Sequence, residues 1–107
     1  MVCEIGRAVD KEVRRHGFSV IRSLGGHGVG RAMWEEPHVP NFHDTRHKSR
    51  LYNGLVLTIE PIISAGSQRC MLAADQWTVV TSDRSATAHV EHTIIINNDS
   101  PIVLTAA

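Results

Sequence analysis

With 107 residues, 42% of them apolar and 21% charged, the chain is sized for one small folded domain, residues 1–107, and not two, and its composition is not that of a disordered chain. Eleven basic residues balance eleven acidic ones. That balance excludes a nucleic-acid binder relying on a broad positive field, and no apolar run approaches the roughly 20 residues of a membrane helix.

The elements follow in chain order. Val2, Ile5, Val9 and Val13 recur near helical spacing, so the pattern predicts a helix over Val2 to His16. Arg14, Arg15 and His16 suit the negative end of its dipole, and Gly17 suits the C′ position with Phe18 packing back on Val13. No capping box precedes the helix, which is the expectation for a chain that begins inside a larger unit. Phe18 to Ile21 reads as a short strand. It leads into a glycine loop, Gly25-Gly26-His27-Gly28-Val29-Gly30-Arg31, which holds one histidine among four glycines. Pro37 to Arg50 reads as irregular. Asn53-Gly54 marks a turn, and Leu55 to Ile59 is a strand running into Glu60-Pro61. Ile62-Ile63 follows, then a loop from Ser64 to Ala74. Further strands are expected over Gln76 to Thr81, Thr87 to Ile96 and Ile102 to Thr105, with a turn at Ser82 to Ser85. Short turns between strands predict an antiparallel meander packed on the N-terminal helix.

Two carboxylates stand out. Glu60 ends an apolar strand, where an unpaired carboxylate is costly and a pair, a proton or a cation is needed; an exposed strand end is the ordinary alternative. Glu91 lies mid-strand, and alternation puts His89, Glu91 and Thr93 on one face, with Val90, His92 and Ile94 on the other. His27, Glu60 and Glu91 together form a donor set suited to Zn, Mn, Fe or Co. Seven histidines are many for this length. Cys3 and Cys70 show no metal-type spacing. With no signal-peptide core at the N-terminus, they are expected to be reduced thiols in a cytoplasmic protein.

Gly-His27-Gly-Val-Gly-Arg with Glu35-Glu36-Pro37, then Leu57-Thr-Ile-Glu60-Pro61, then Val90-Glu91-His92-Thr93, resembles the C-terminal half of a type I methionine aminopeptidase. The resemblance covers nearly the whole chain. It implies an α+β fold that is half of a pita-bread arrangement, with an antiparallel sheet and the N-terminal helix on one face. It implies removal of N-terminal methionine from nascent polypeptides. It also implies two divalent metal ions per complete site (Co, Mn, Fe or Zn), with His27, Glu60 and Glu91 as ligands. Glu60 would also handle the proton of the attacking water, and Glu91 would bridge the two ions.

Two departures from the family pattern matter. The family's site also needs two aspartates from its N-terminal half, and Asp10, Asp44, Asp75, Asp83 and Asp99 lie outside that motif. The resemblance therefore implies that the chain alone is inactive and pairs with a separate N-terminal half or with a second copy of itself. A second family histidine, which contacts the substrate, is replaced by Trp34, an N–H donor with no acceptor. His89 stands where the family usually has glutamine, so Trp34 and His89 are expected to line the substrate pocket. The alternative reading is a pita-bread-like module that binds a peptide or partner without hydrolysis. His43-Asp-Thr-Arg-His47 superficially matches the zinc-protease helix motif, but Asp44 stands where glutamate is needed. The glycine run matches neither G-x-G-x-x-G nor a P-loop.

Overall fold

The computed structural model describes residues 1–106. Helix α1 spans Val2–Arg15, one residue short of the expected end. Gly17 sits at φ 78°, with the Gly17 N–H bonded to the Arg14 carbonyl (3.0 Å) and the Phe18 N–H to the Val13 carbonyl (3.1 Å). This pair is a Schellman ending, as the sequence predicts. The other end needs no side-chain cap, because the carbonyls of Ser49 and His47 accept the N–H groups of Val2 and Cys3 at 3.0 and 3.1 Å. Val2, Cys3 and Gly6 are buried while Val9 and Val13 are half-buried. Only the first turns of the helix therefore reach the core.

Ten strands follow: β1 Ser19–Val20, β2 Gly25–Gly28, β3 Glu35–Pro40, β4 Val56–Ile59, β5 Ile62–Ser64, β6 Cys70–Leu72, β7 Val79–Thr81, β8 Thr87–His89, β9 His92–Ile95 and β10 Ile102–Val103. They form a five-stranded sheet in the order β10-β9-β4-β2-β3, a three-stranded sheet β1-β5-β8 and a hairpin β6-β7. All observed pairings are antiparallel. The core gathers Val2 from the helix with Val39, Leu57 and Ile94 from the larger sheet and Leu55 just before β4. Each such side chain stabilises by roughly 1.5–3 kcal/mol when fully buried.

Several expectations are corrected. The strands do not run as a meander, since β4 lies between β9 and β2. The glycine stretch is not a loop: Gly25–Gly28 is a strand held between β3 and β4. A Cβ on Gly26 would collide with the Thr58 carbonyl, and one on Gly28 with the Glu36 carbonyl. Glycine here serves close backbone approach rather than flexibility. The irregular segment begins later than expected, because Glu35–Pro40 pairs with β2 across a register shift between His27 and Gly28. The expected loop from Ser64 to Ala74 contains β6. The strand expected from Gln76 starts at Val79, because the Asp75 carboxylate accepts the N–H groups of Trp77 and Thr78 and Gln76 turns through φ 57°. The last strand stops at Val103.

The strand expected over Thr87 to Ile96 is divided at Val90-Glu91, opposite Glu60-Pro61. Ile59 pairs with His92 and Ile62 with His89, so the register runs unchanged across the division and sets Glu60 opposite Glu91. Both strands leave one sheet and enter the next at this corner. Pro61 has no N–H, so it cannot continue the ladder.

The loops below the corner are tied by carboxylates. The Ser85 hydroxyl and backbone N–H, with the Ser67 N–H, hold the Asp83 carboxyl down at about 2, against an ordinary 3.8. The native state thus binds this proton less readily than the unfolded chain. The stability Asp83 contributes is fully present above the ordinary carboxylate range and fades as the pH falls toward 2. Denaturant titrations of wild type and Asp83→Asn should differ most at about pH 5 and converge near pH 2.

Candidate metal centre

β2 alternates Gly26 and Gly28 inward with Gly25 and His27 on the more open face. The His27 N–H donates to the Thr58 hydroxyl oxygen at 3.0 Å, and the Thr58 O–H donates to Glu60 Oε1 at 2.8 Å. One threonine thus fixes both the strand that carries the imidazole and the carboxylate beside it. His27 Nδ1 lies 2.9 Å from the Gly28 carbonyl oxygen. A carbonyl only accepts, so Nδ1 carries hydrogen, and Nε2 turns toward Glu60 Oε1 at 3.5 Å. The Glu60 side chain is only 17% exposed.

A second imidazole stands on the other oxygen of the same carboxylate, with His89 Nε2 3.6 Å from Glu60 Oε2. Ligand atoms of Glu60, His89 and Glu91 all lie within 4.8 Å of one another. His27, Thr58, Glu60, Glu91 and Thr93 line a cleft of about 470 Å³ together with Val29, Met33 and Trp34. Glu91 and Thr93 share this cleft, while Val90, His92 and Ile94 face an apolar groove with Ile59, Pro61 and Val103. The expected alternation therefore holds from Val90 to Ile94, while His89 does not share the cleft of Glu91 and Thr93.

Trp34 meets the His27 ring edge to face, with centroids 6.2 Å apart, and is 74% exposed at the rim. His89 lies off this cleft, on the far side of Glu60, beside Ile21, Leu24 and Ile62. Sequence reasoning placed it only as a pocket-lining residue. Its pairing with Ile62, directly beyond the corner, is what brings it to the carboxylate.

The donor set fits a divalent cation. In the neutral ring, His27 Nε2 and Glu60 Oε1 are two acceptors facing each other, which is favourable only with a positive charge between them. Two ligands at 2.0–2.2 Å on one tetrahedral ion lie about 3.4 Å apart, close to the 3.5 and 3.6 Å separations seen here. Four aspartates are committed elsewhere: Asp10 to Arg14, Asp44 to Arg46, Asp75 to Thr78 and Asp83 to Ser85. The two histidines of His43-Asp-Thr-Arg-His47 also separate. His43 sits against the Cys3 carbonyl and Arg7, and His47 against Asp44 and His38.

A family model described as metallopeptidase family M24 matches residues 1–98. The chain belongs to this family. Among curated M24 relatives, methionine aminopeptidase 2 of Bacillus subtilis is 47% identical over 103 residues, spanning 95% of this chain and 41% of that protein. The methionine aminopeptidase of Escherichia coli K12 is 42% identical, over 95% of this chain and 39% of its own length. The crystal structure of methionine aminopeptidase from Thermotoga maritima superposes with a TM-score of 0.92 at 39% identity, covering 99% of this chain and 43% of that one. The chain thus spans about two fifths of the relatives it matches, and its helix and antiparallel sheets are a fragment of the family's α+β pita-bread fold. M24 membership implies divalent metal ions. No helix among the described residues is long and apolar enough to cross a membrane.

Proposed function

We propose that residues 1–107 are the C-terminal half of a methionine aminopeptidase catalytic domain. The completed domain removes N-terminal methionine from nascent polypeptides in the cytoplasm. The observation that carries this reading is the corner, where Glu60 and Glu91 oppose each other with His27 on the Glu60 carboxylate at 3.5 Å. His27, Glu60 and Glu91 would hold the metal, two ions per complete site. The ions supply a Lewis acid that polarises the scissile carbonyl and makes water a usable nucleophile near neutral pH. This chain's residues do the rest. Thr58 holds Glu60 in place by its O–H, Glu60 takes the proton released by the attacking water, and Trp34 lines the cleft through which the peptide N-terminus enters. The apolar grooves along Ile59, Ile94 and Val103 are where a complementing segment or a second copy would pack.

The test is cleavage of a Met-Ala-Ser peptide, read by mass spectrometry, with the chain alone and with the remaining segment of the Bacillus subtilis relative added in trans. Cleavage is expected only in the mixture with Co²⁺ or Mn²⁺, and Glu91→Gln should abolish it. Turnover by the chain alone, or turnover indifferent to Glu91→Gln, would overturn the reading.

One observation favours a second reading, a peptide-binding module without hydrolysis. Trp34 occupies the rim beside His27 and offers a donor but no acceptor. Under the first reading Trp34→His raises cleavage in the mixture. Peptide binding without cleavage in both forms would establish the second.

A further inference from the structure

We propose that His89 is a cation ligand: its imidazole, with the carboxylates of Glu60 and Glu91, binds a divalent transition-metal ion. The inference rests on the reading of Glu60 and Glu91 as metal-binding groups and adds a donor that the resemblance does not supply, since the family usually carries glutamine at this position.

Three observations converge on it. His89, Glu60 and Glu91 are a set whose ligand atoms lie mutually within 4.8 Å. His89 Nε2 approaches Glu60 Oε2 at 3.6 Å, while His27 occupies the other oxygen, Oε1, at 3.5 Å. Two imidazoles thus bracket one carboxylate from opposite sides. The backbone also holds the arrangement, because His89 pairs with Ile62 on one side of the corner and His92 with Ile59 on the other. The trio therefore spans a fixed register rather than a loop.

The chemical consequence is selectivity. A glutamine amide is a weak oxygen donor, whereas a neutral imidazole is a strong nitrogen donor for Co, Ni and Zn. With His27 already on the other oxygen of Glu60, His89 brings a second imidazole nitrogen to the carboxylates and strengthens the preference for later transition metals over Mg and Ca. The His89 side chain is 45% exposed, so the ion can enter from solvent without opening the core.

The test titrates the full 107-residue chain with Co²⁺, following visible d–d absorption and calorimetry, for wild type, His89→Gln and Glu91→Gln. Wild type should bind Co²⁺ at this trio. His89→Gln should weaken binding by more than about tenfold, the scale already reached by outer-shell partners, and should change the absorption envelope because a nitrogen donor is lost. If His89→Gln keeps wild-type affinity and spectrum while Glu91→Gln loses both, the inference falls and the carboxylate reading stands. If wild type binds no Co²⁺, the inference also falls, and the aminopeptidase reading is decided separately by cleavage in the complemented mixture. Should His89→Gln fail to fold, paramagnetically shifted imidazole resonances of the Co²⁺-loaded wild type decide. Assignment of one to His89 supports the inference, and its absence overturns it.

Discussion

Glu60→Gln is expected to lower Met-peptide cleavage by the complemented protein about 10²- to 10⁴-fold, the range associated with loss of a positioned acid–base group. The substitution keeps the side-chain shape. The amide oxygen can still accept the Thr58 hydroxyl that now reaches Glu60 Oε1 at 2.8 Å. The negative charge that faces both His27 and His89 is lost, and with it the ability to hold a cation and to take a proton. The fold should survive, because Glu60 lies at the corner and not among Val2, Val39, Leu57 and Ile94. Circular dichroism should therefore match wild type while turnover collapses. Wild-type turnover in Glu60→Gln would remove this carboxylate from the chemistry.

Gly26→Ala is expected to produce the larger loss of stability, about 1–3 kcal/mol or more, as overpacking does where nothing can yield. The added Cβ would fall on the backbone carbonyl of Thr58, with the Thr58 hydroxyl also in contact. A flexible side chain could swing aside; a backbone carbonyl within strand β4 cannot. Gly17→Ala is the control. Gly17 has φ of +78° but nothing within 4 Å of an added Cβ, so only conformational strain of about 1–2 kcal/mol applies there. Urea midpoints should rank Gly26→Ala below Gly17→Ala. Gly26→Ala should also blunt metal binding, because displacing Thr58 moves the acceptor of the His27 N–H. Gly17→Ala should leave the metal centre untouched.

The helix and β4 were legible because each carries its own periodicity and punctuation. The 3.6-residue stripe and Gly17 mark the helix, and the run Leu55 to Ile59, four of its five residues apolar and leading into Glu60, marks the strand. β2 and β3 were hidden for opposite reasons. Three of the four residues in Gly25–Gly28 are glycine, which reads as a loop wherever the neighbouring backbones are unknown. Glu35–Pro40 carries two prolines and two acids, a composition that local preference assigns away from sheets. Tertiary pairing overrides both. The division of the strand at Val90-Glu91 has no local sign, since neither residue is a breaker. Its cause is Pro61 on the opposing strand, and that can be read only once the register is known. The candidate site is legible in its carboxylates, which are conspicuous in apolar strands, and in its family pattern. The place of His89 was not, because it depends on that same long-range register.

The corner separates what can change in this molecule from what cannot. Glu60 and Glu91 are held by rungs on either side, Ile59 with His92 and Ile62 with His89, while the chain between Ser64 and Thr87 only has to leave and return. Inserting residues near Gln76, at the tip of the β6–β7 hairpin, lengthens a detour and leaves the acids opposed. Deleting one residue between Ile59 and Ile62 slips one rail of the ladder against the other and turns a carboxylate away from its partner. The hairpin is thus the place to graft a tag, a label or a new specificity loop, and the four residues of the corner are the gauge to which any redesign must be cut.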